Sequence, residues 1–402
     1  HEQTAAIAAE GFAKESGLFG VAISTSGPGA TNMMTGIADA YFDSIPVLYI
    51  TGQVNTYEYK YDKPVRQQGF QETDIVSMVK SVTKYAKLID KAEDIKYELD
   101  KALYIALSGR KGPVLLDLPM DIQREEINPE TLIGYSGESI LNNPLIAWEE
   151  IRLLMESSHR PILLLGAGCC NSDMVLLNDF IRRHHFPVIT SLMGRGAIDE
   201  TYDNYIGMIG SYGNRCANMG VANADLLIAL GTRLDTRQTG ARLDQFLSNG
   251  HIIHVDIDDN ELEYHRLLNR KKVNCTIDCF LQKEKEMPIS LGDISEWNFF
   301  LHGLKQRYGQ DAEIERFAEN KSPYRFMQYF DSLTQTDDVI CADIGQNQMW
   351  AAQTLRLKSG QKFVTSGGLA PMGFSLPVAI GCSFANPNKK VFSINGDGGF
   401  HM

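Results

Sequence analysis

Cysteine is scarce in this chain. There are seven among 402 residues (Cys169, Cys170, Cys216, Cys275, Cys279, Cys341 and Cys382), an odd number with no C-x-x-C pair. That usage argues against a disulfide framework and for a reducing compartment, so a cytoplasmic protein is expected. Cys275 and Cys279 have no second pair and no histidine pair to complete a zinc site. Positive charge is also short: 38 Lys and Arg stand against 50 Asp and Glu, for a net charge of −12. Nucleic acid and anionic membrane are therefore not expected as partners. No apolar run reaches spanning length, so no membrane helix is expected. No signal peptide and no low-complexity tract stand out. An initiator methionine is missing as well, and the chain is read as cut at both ends.

What is present is strand and helix in alternation. Short apolar runs at Gly20 to Thr25, Pro46 to Thr51 and Pro113 to Leu118 alternate with helical stretches at Glu2 to Lys14, Ala30 to Tyr41 and residues 92 to 108. Runs at Pro161 to Leu165, Phe186 to Thr190, Ala224 to Leu230 and His251 to Ile257 follow. A last set lies at Asp338 to Ala342, Phe363 to Ser366 and Lys390 to Asn395, with helices at Gln346 to Leu355 and Met372 to Phe384. Apolar strands between helices indicate parallel sheets covered on both faces. The fold class expected is α/β, with three doubly wound parallel-sheet domains, the first and last incomplete. Their bounds are 1–125, 143–285 and 298–402, with linkers at 126–142 and 283–297.

Four segments carry chemistry. Glu2 stands at a helix start, and Ser26-Gly27-Pro28-Gly29-Ala30-Thr31-Asn32 is a glycine turn before a helix, whose free N–H groups can hold polar ligand atoms. Asp343-Ile344-Gly345-Gln346-Asn347-Gln348 and Gly367-Gly368-Leu369-Ala370-Pro371-Met372-Gly373 follow. In Asn395-Gly396-Asp397-Gly398, a hard carboxylate between glycines at a strand end suits Mg²⁺. Each alone is more often a tight turn or a surface residue.

Together, with Thr51-Gly52-Gln53-Val54, Phe70-Gln71-Glu72 and Ser108-Gly109-Arg110, they resemble the thiamine-diphosphate family and, within it, the acetolactate-synthase-like group. The resemblance implies a pyrimidine-binding first domain, a central FAD-type domain and a diphosphate- and Mg²⁺-binding last domain. It implies that Glu2 hydrogen-bonds the aminopyrimidine ring. Gly27, Pro28, Asn32, Gln53, Gly345, Gln346, Asn347, Met372, Gly396, Asp397 and Gly398 would surround thiamine diphosphate, with Asp397 on Mg²⁺. Phe70 and Gln71 would face the substrate. For FAD it implies Gly166, Gly168, Leu192, Met193, Gly213, Gly231, Arg233, Arg237 and Asp256; Gly166-x-Gly168 after a strand is an incomplete nucleotide fingerprint, and the two arginines suit a diphosphate. A homodimer or homotetramer with active sites between subunits is implied too, so that Glu2 and Asp397 would serve neighbouring sites.

The expected reaction is decarboxylation of a 2-oxo acid, pyruvate first, and carboligation to a carbonyl acceptor. Several residues depart from the group. Met120 stands where a lysine is usual, Asn347 where a histidine is, and Pro371 where a small residue is. The stretch Asn55 to Gly69 is longer than usual and rich in Tyr, Lys and Arg. A carboligase of sugar or polysaccharide biosynthesis with a larger acceptor is the rival reading. A catalytically silent paralogue and an NAD-dependent dehydrogenase are the others.

Overall fold

The computed structural model describes residues 1–137 and 146–402. Residues 138–142 of the expected linker and 143–145 of the expected central domain lie outside the described residues. Two compact units emerge. The first holds residues 1–137, Val339–Ile344 and Val364–Met402; the second holds residues 146–338 and Gly345–Phe363.

The strands, in chain order, are β1 Gly20–Ser24, β2 Val47–Gln53, β3 Tyr85–Leu88, β4 Val114–Pro119, β5 Pro161–Leu165, β6 Val188–Thr190, β7 Tyr205–Met208, β8 Leu226–Leu230, β9 His251–Asp256, β10 Arg270–Asn274, β11 Val339–Ala342, β12 Lys362–Val364 and β13 Val391–Ile394. They form sheets of order β1-β2-β4-β3, β10-β9-β8-β5-β6-β7 and β12-β11-β13. Neighbours in the first two sheets run parallel, as do β11 and β13. The α/β, parallel-sheet class is as the alternation predicts.

Successive side chains of a strand point to opposite faces, and here both faces are buried. In β5, Leu163 and Leu165 enter one core, and Ile162 and Leu164 enter another. In β2, Val47 and Tyr49 face one core and Leu48 the other. Two expected elements change. Ala30 to Tyr41 is not one helix: it breaks at Met33 into Pro28–Asn32 and Met34–Phe42, with the Met33 N–H donating back to Ala30 O in a tightened turn. The expected linker at 283–297 is narrower: only residues 287–294 connect, because its two ends belong to the helices Ile277–Glu286 and Ser295–Tyr308. The second of these helices buries Trp297, Leu301 and Leu304 against Ile162 and Val221.

In the first unit, the helix Glu2–Ser16 is Ala-rich. His1 caps it by accepting from Gln3 N–H, and Gly17 ends it at φ 74°. It lies against the helix Ser375–Ala385 backbone to backbone: a Cβ at Gly11 would overlap the Val378 carbonyl, and one at Gly381 the Ala8 carbonyl. Ile7, Phe374 and Val378 are buried in the same cluster.

Candidate cofactor sites

Glu2 opens its helix, where the N–H ends of the peptide dipoles favour a carboxylate. Its Oε2 accepts a hydrogen bond from Asn32 Nδ2 at 3.0 Å, and this bond holds the carboxyl below the usual glutamate range. Asn32 reaches Glu2 because the chain turns at Gly27, whose φ of 61° with ψ of −119° suits only glycine, and Pro28 then starts the short helix. A Cβ at Gly27 would lie 2.9 Å from Gln71 O, so the turn adjoins the Phe70–Gln71 segment. Phe70 is 87% exposed and Gln71 has φ 64°. Glu2, Gly27, Pro28, Asn32 and Gln71 are thus drawn together. Gln53 is not: its amide is buried, donating to Asp117 Oδ2 at 2.9 Å and Thr73 O at 2.7 Å while accepting from Val54 N–H.

The Asn55 to Gly69 stretch is a built loop. The buried Glu72 carboxylate accepts from the N–H groups of Lys60, Gln68 and Gly69 at 2.8, 2.6 and 3.1 Å. Burial alone would raise its pKa; the backbone N–H groups hold it below the usual value. Tyr59 is buried, whereas Tyr57 and Tyr61 are exposed.

The third sheet places its own turns together. The chain leaves β11 for β12 on one side and returns to β13 on the other, so the loops after β11 and β13 flank a switch point, where ligands of such sheets bind. Asp343, just after β11, is fully buried and accepts from the N–H groups of Gly373 and Phe374 at 3.2 and 3.1 Å. A Cβ at Gly399 would overlap the same carboxylate. Asp343 therefore ties the Met372 segment to the Gly396-Asp397-Gly398 turn. Met372 Cε lies 3.4 Å from where a Cβ on Gly398 would stand. The Asp397 carboxylate is exposed and has no ion-pair partner among the described residues, and Asn395 Oδ1 has no hydrogen-bond partner among them either. These hard oxygen donors beside a glycine turn fit Mg²⁺. Nothing local in Asp343-Ile344-Gly345 signals this grip, which only the fold brings about.

Gly345, Gln346 and Asn347 fall in the second unit. Gly345, at φ 132°, starts the helix Gln346–Thr354 with no side-chain cap, and its carbonyl accepts from Gln348 N–H at 3.2 Å.

The central sheet has a second switch point. From β5 the chain builds outward through β6 and β7, then returns to β8 on the other side of β5. Gly166, Gly168, Leu192, Met193, Gly231, Arg233 and Arg237 all follow the carboxyl ends of β5, β6 or β8, Asp256 is the last residue of β9, and Gly213 follows β7. Gly166 and Gly168 pack on Gly231: Gly168 N–H donates to Gly231 O at 3.0 Å, and a Cβ at Gly231 (φ 56°) would lie 2.7 Å from Gly168 Cα. Arg233 Nη2 is 3.6 Å from Asp235, and Arg237 stacks on Tyr212 at 5.3 Å. The segment after β5 is a 3₁₀ turn, Ala167–Asn171, and the next helix N-terminus is already capped by Asp173, which accepts from Val175 and Leu176 N–H. That arrangement argues against the dinucleotide elbow of a dehydrogenase.

Comparison with known proteins bears on both switch points. Three family models match: thiamine pyrophosphate enzyme, N-terminal TPP binding domain, over residues 1–78; the central domain, over 149–278; and the C-terminal TPP binding domain, over 343–402. The chain belongs to this family of thiamine pyrophosphate enzymes. Within it, the chain is acetolactate-synthase-like. It is 38% identical over 414 residues to acetolactate synthase 2, chloroplastic, of Nicotiana tabacum, covering 100% of this chain and 60% of that protein. It is 37% identical over 417 residues to the chloroplastic acetolactate synthase of Arabidopsis thaliana, again covering 100% and 60%. The same identity holds over 413 residues for acetolactate synthase 1, chloroplastic, of Oryza sativa subsp. japonica, covering 100% and 62%. The chain thus spans about 60% of the length of the curated relatives it matches.

Proposed function

We propose that the protein is a thiamine-diphosphate-dependent carboligase that decarboxylates a 2-oxo acid, pyruvate first, and joins the remaining unit to a carbonyl acceptor. The observation that carries this is the Glu2 carboxylate, oriented by Asn32 beside the Gly27 turn. When bound, thiamine diphosphate supplies the carbanion chemistry and the electron sink. The residues supply placement. Glu2, kept ionised by Asn32, accepts a ring N–H and so holds a proton at a fixed point. Met372 supports the cofactor from beside Gly398. Asp397 and Asn395 offer oxygens to Mg²⁺, and Gly345, Gln346 and Asn347 would lie near the diphosphate. Phe70 and Gln71 face the substrate.

The same reading has FAD at the central switch point, a homo-oligomer with active sites between subunits, and a cytoplasmic location, which the seven free cysteines favour. Among the described residues, no helix is long and apolar enough to cross a membrane. A larger, sugar-linked acceptor is a second reading, favoured by the built loop at 55 to 69 and by Phe70, exposed beside it.

The test is CO₂ release and product analysis with pyruvate, thiamine diphosphate and Mg²⁺. Glu2→Gln is expected to lower turnover by about 10²-fold or more. Equal turnover in Glu2→Gln would sink the assignment of Glu2. Prompt acetolactate from pyruvate alone would count against the sugar acceptor, and a flavin absorption spectrum on purified protein decides FAD.

A further inference from the structure

The second unit contains a cavity of about 510 Å³ that belongs to neither switch point. It lies between the helix Ser295–Tyr308, the start of the helix Gln310–Phe317 and the last residues of the helix Gln346–Thr354, the end remote from Gly345. Its volume is that of a small-metabolite pocket.

The charges on its wall are unevenly matched. Arg195 is 3% exposed and fully engaged, by Glu200 and by the carbonyls of Ala351, Ala352 and Leu355. It thereby caps the carbonyl end of the helix Gln346–Thr354 and keeps that negative pole out of the cavity. Arg356 is paired with Asp311. Lys305 has no carboxylate partner among the described residues; its Nζ donates to Tyr205 O at 2.5 Å. Burial first, and Arg356 second, hold the Lys305 amine below its usual pKa, which an incoming anion would relieve. Among the described residues, the one carboxylate on the wall without an ion-pair partner, Asp203, is exposed at the rim.

Two further polar atoms lack partners among the described residues: Thr354 Oγ1, on a residue only 5% exposed, and His302 Nε2. Both residues line the cavity. A buried polar atom without a partner is costly unless a ligand or water completes it. The helix Gln310–Phe317 also begins here, at Gly309, without a side-chain cap, and Gln310, Asp311 and Ala312 of its first turn line the wall. A Cβ at Gly309 would overlap the Lys305 carbonyl, so glycine is what allows the two helices to meet at this point.

We propose that this cavity binds a small organic anion, a phosphate ester or a polycarboxylate, through Lys305, Thr354, His302 and the N–H groups of residues 310 to 312. The site is independent of the thiamine reading, and its test uses binding rather than turnover. The intact protein, first saturated with thiamine diphosphate and Mg²⁺, is titrated calorimetrically with inorganic phosphate, glucose 6-phosphate and citrate. At least one is expected to bind saturably, one per chain, with Lys305→Ala weakening it about tenfold or more and Thr354→Val weakening it measurably. Thiamine diphosphate affinity should stay unchanged. A preference for glucose 6-phosphate or for citrate identifies the class of anion. Absence of binding by all three, or binding untouched by Lys305→Ala, overturns the proposal. If Lys305→Ala loses its cooperative melting transition, Thr354→Val and His302→Ala are read against the same two outcomes.

Discussion

Asn32 donates its side-chain amide to the Glu2 carboxylate across 3.0 Å, thirty residues along the chain. This bond is the largest cause of the lowered Glu2 pKa. A carboxylate held low stays ionised further into acid and loses its charge only as pH falls through that lowered value. In Asn32→Ala the acidic limb of the kcat profile is therefore expected to move to higher pH. A pH–rate profile of the two proteins checks this, and an unmoved limb would refute the role of Asn32.

A second expectation concerns the crossing of Glu2–Ser16 with Ser375–Ala385. Gly11→Ala or Gly381→Ala places a methyl group against backbone rather than against a pliable side chain. Overpacking of this kind costs about 1–3 kcal/mol, or more where backbone must shift. Both variants should melt well below the parent, while Gly292→Ala, where a Cβ would meet nothing within 4 Å, should melt like it.

Alkaline pH should loosen the first unit. Asp39 is buried beside Glu10, and Ser366 donates to its Oδ1 at 2.6 Å. Burial first, then Glu10, pushes the Asp39 carboxyl up to about 9, and the neighbouring Glu10 is raised as well, chiefly by burial. A carboxyl raised on folding stabilises fully below its unfolded value of about 4. That contribution is lost as pH rises through the folded value. Melting temperature should fall between neutral pH and pH 10, and Asp39→Asn, which cannot ionise, should flatten that fall. Parallel slopes in the two proteins would exclude Asp39 as the source.

In the second unit the sign reverses. His254 is buried, with Arg270 Nη1 at 2.6 Å from its Nδ1 and Thr232 O at 2.7 Å from its Nε2. That network assigns a neutral ring, its Nε2–H donating to Thr232 O. Burial holds the imidazole down at about 4. A group depressed on folding costs nothing above its unfolded pKa of about 6.5, and destabilises increasingly as pH falls from there towards 4. The loss is on the order of 3 kcal/mol. Denaturant unfolding at pH 7 and pH 4.5 should show it, and His254→Gln should show less of it.

How much of this was legible depends on where each signal lies. Pro161–Leu165 and Leu226–Leu230 are apolar without a break because both faces of their sheet are covered. Arg270–Asn274 carries no apolar run because it is an edge strand that buries only Val273. Tyr85–Leu88, another edge, hides in the same way. The glycine turns could be read, since the conformations of Gly27 and Gly345 demand that residue type. The grip of Asp343 on Gly373 and Phe374 could not, because a carboxylate that accepts from backbone N–H groups thirty residues away leaves no local pattern. A Glu10–Lys14 pair at i, i+4 is common to many helices; only the fold shows Asp39 and Asp43 closing over it.

The glycine crossing also sets a positional tolerance. A helix that touches its neighbour through side chains can slide by a fraction of a turn as rotamers adjust. One that touches it backbone to backbone, at both Gly11 and Gly381, has no such slack. Glu2 rides on that helix, so its height along the crossing is fixed before any substrate arrives. Variation in acceptor choice would then fall to the loop around Phe70, leaving the glutamate's reach constant.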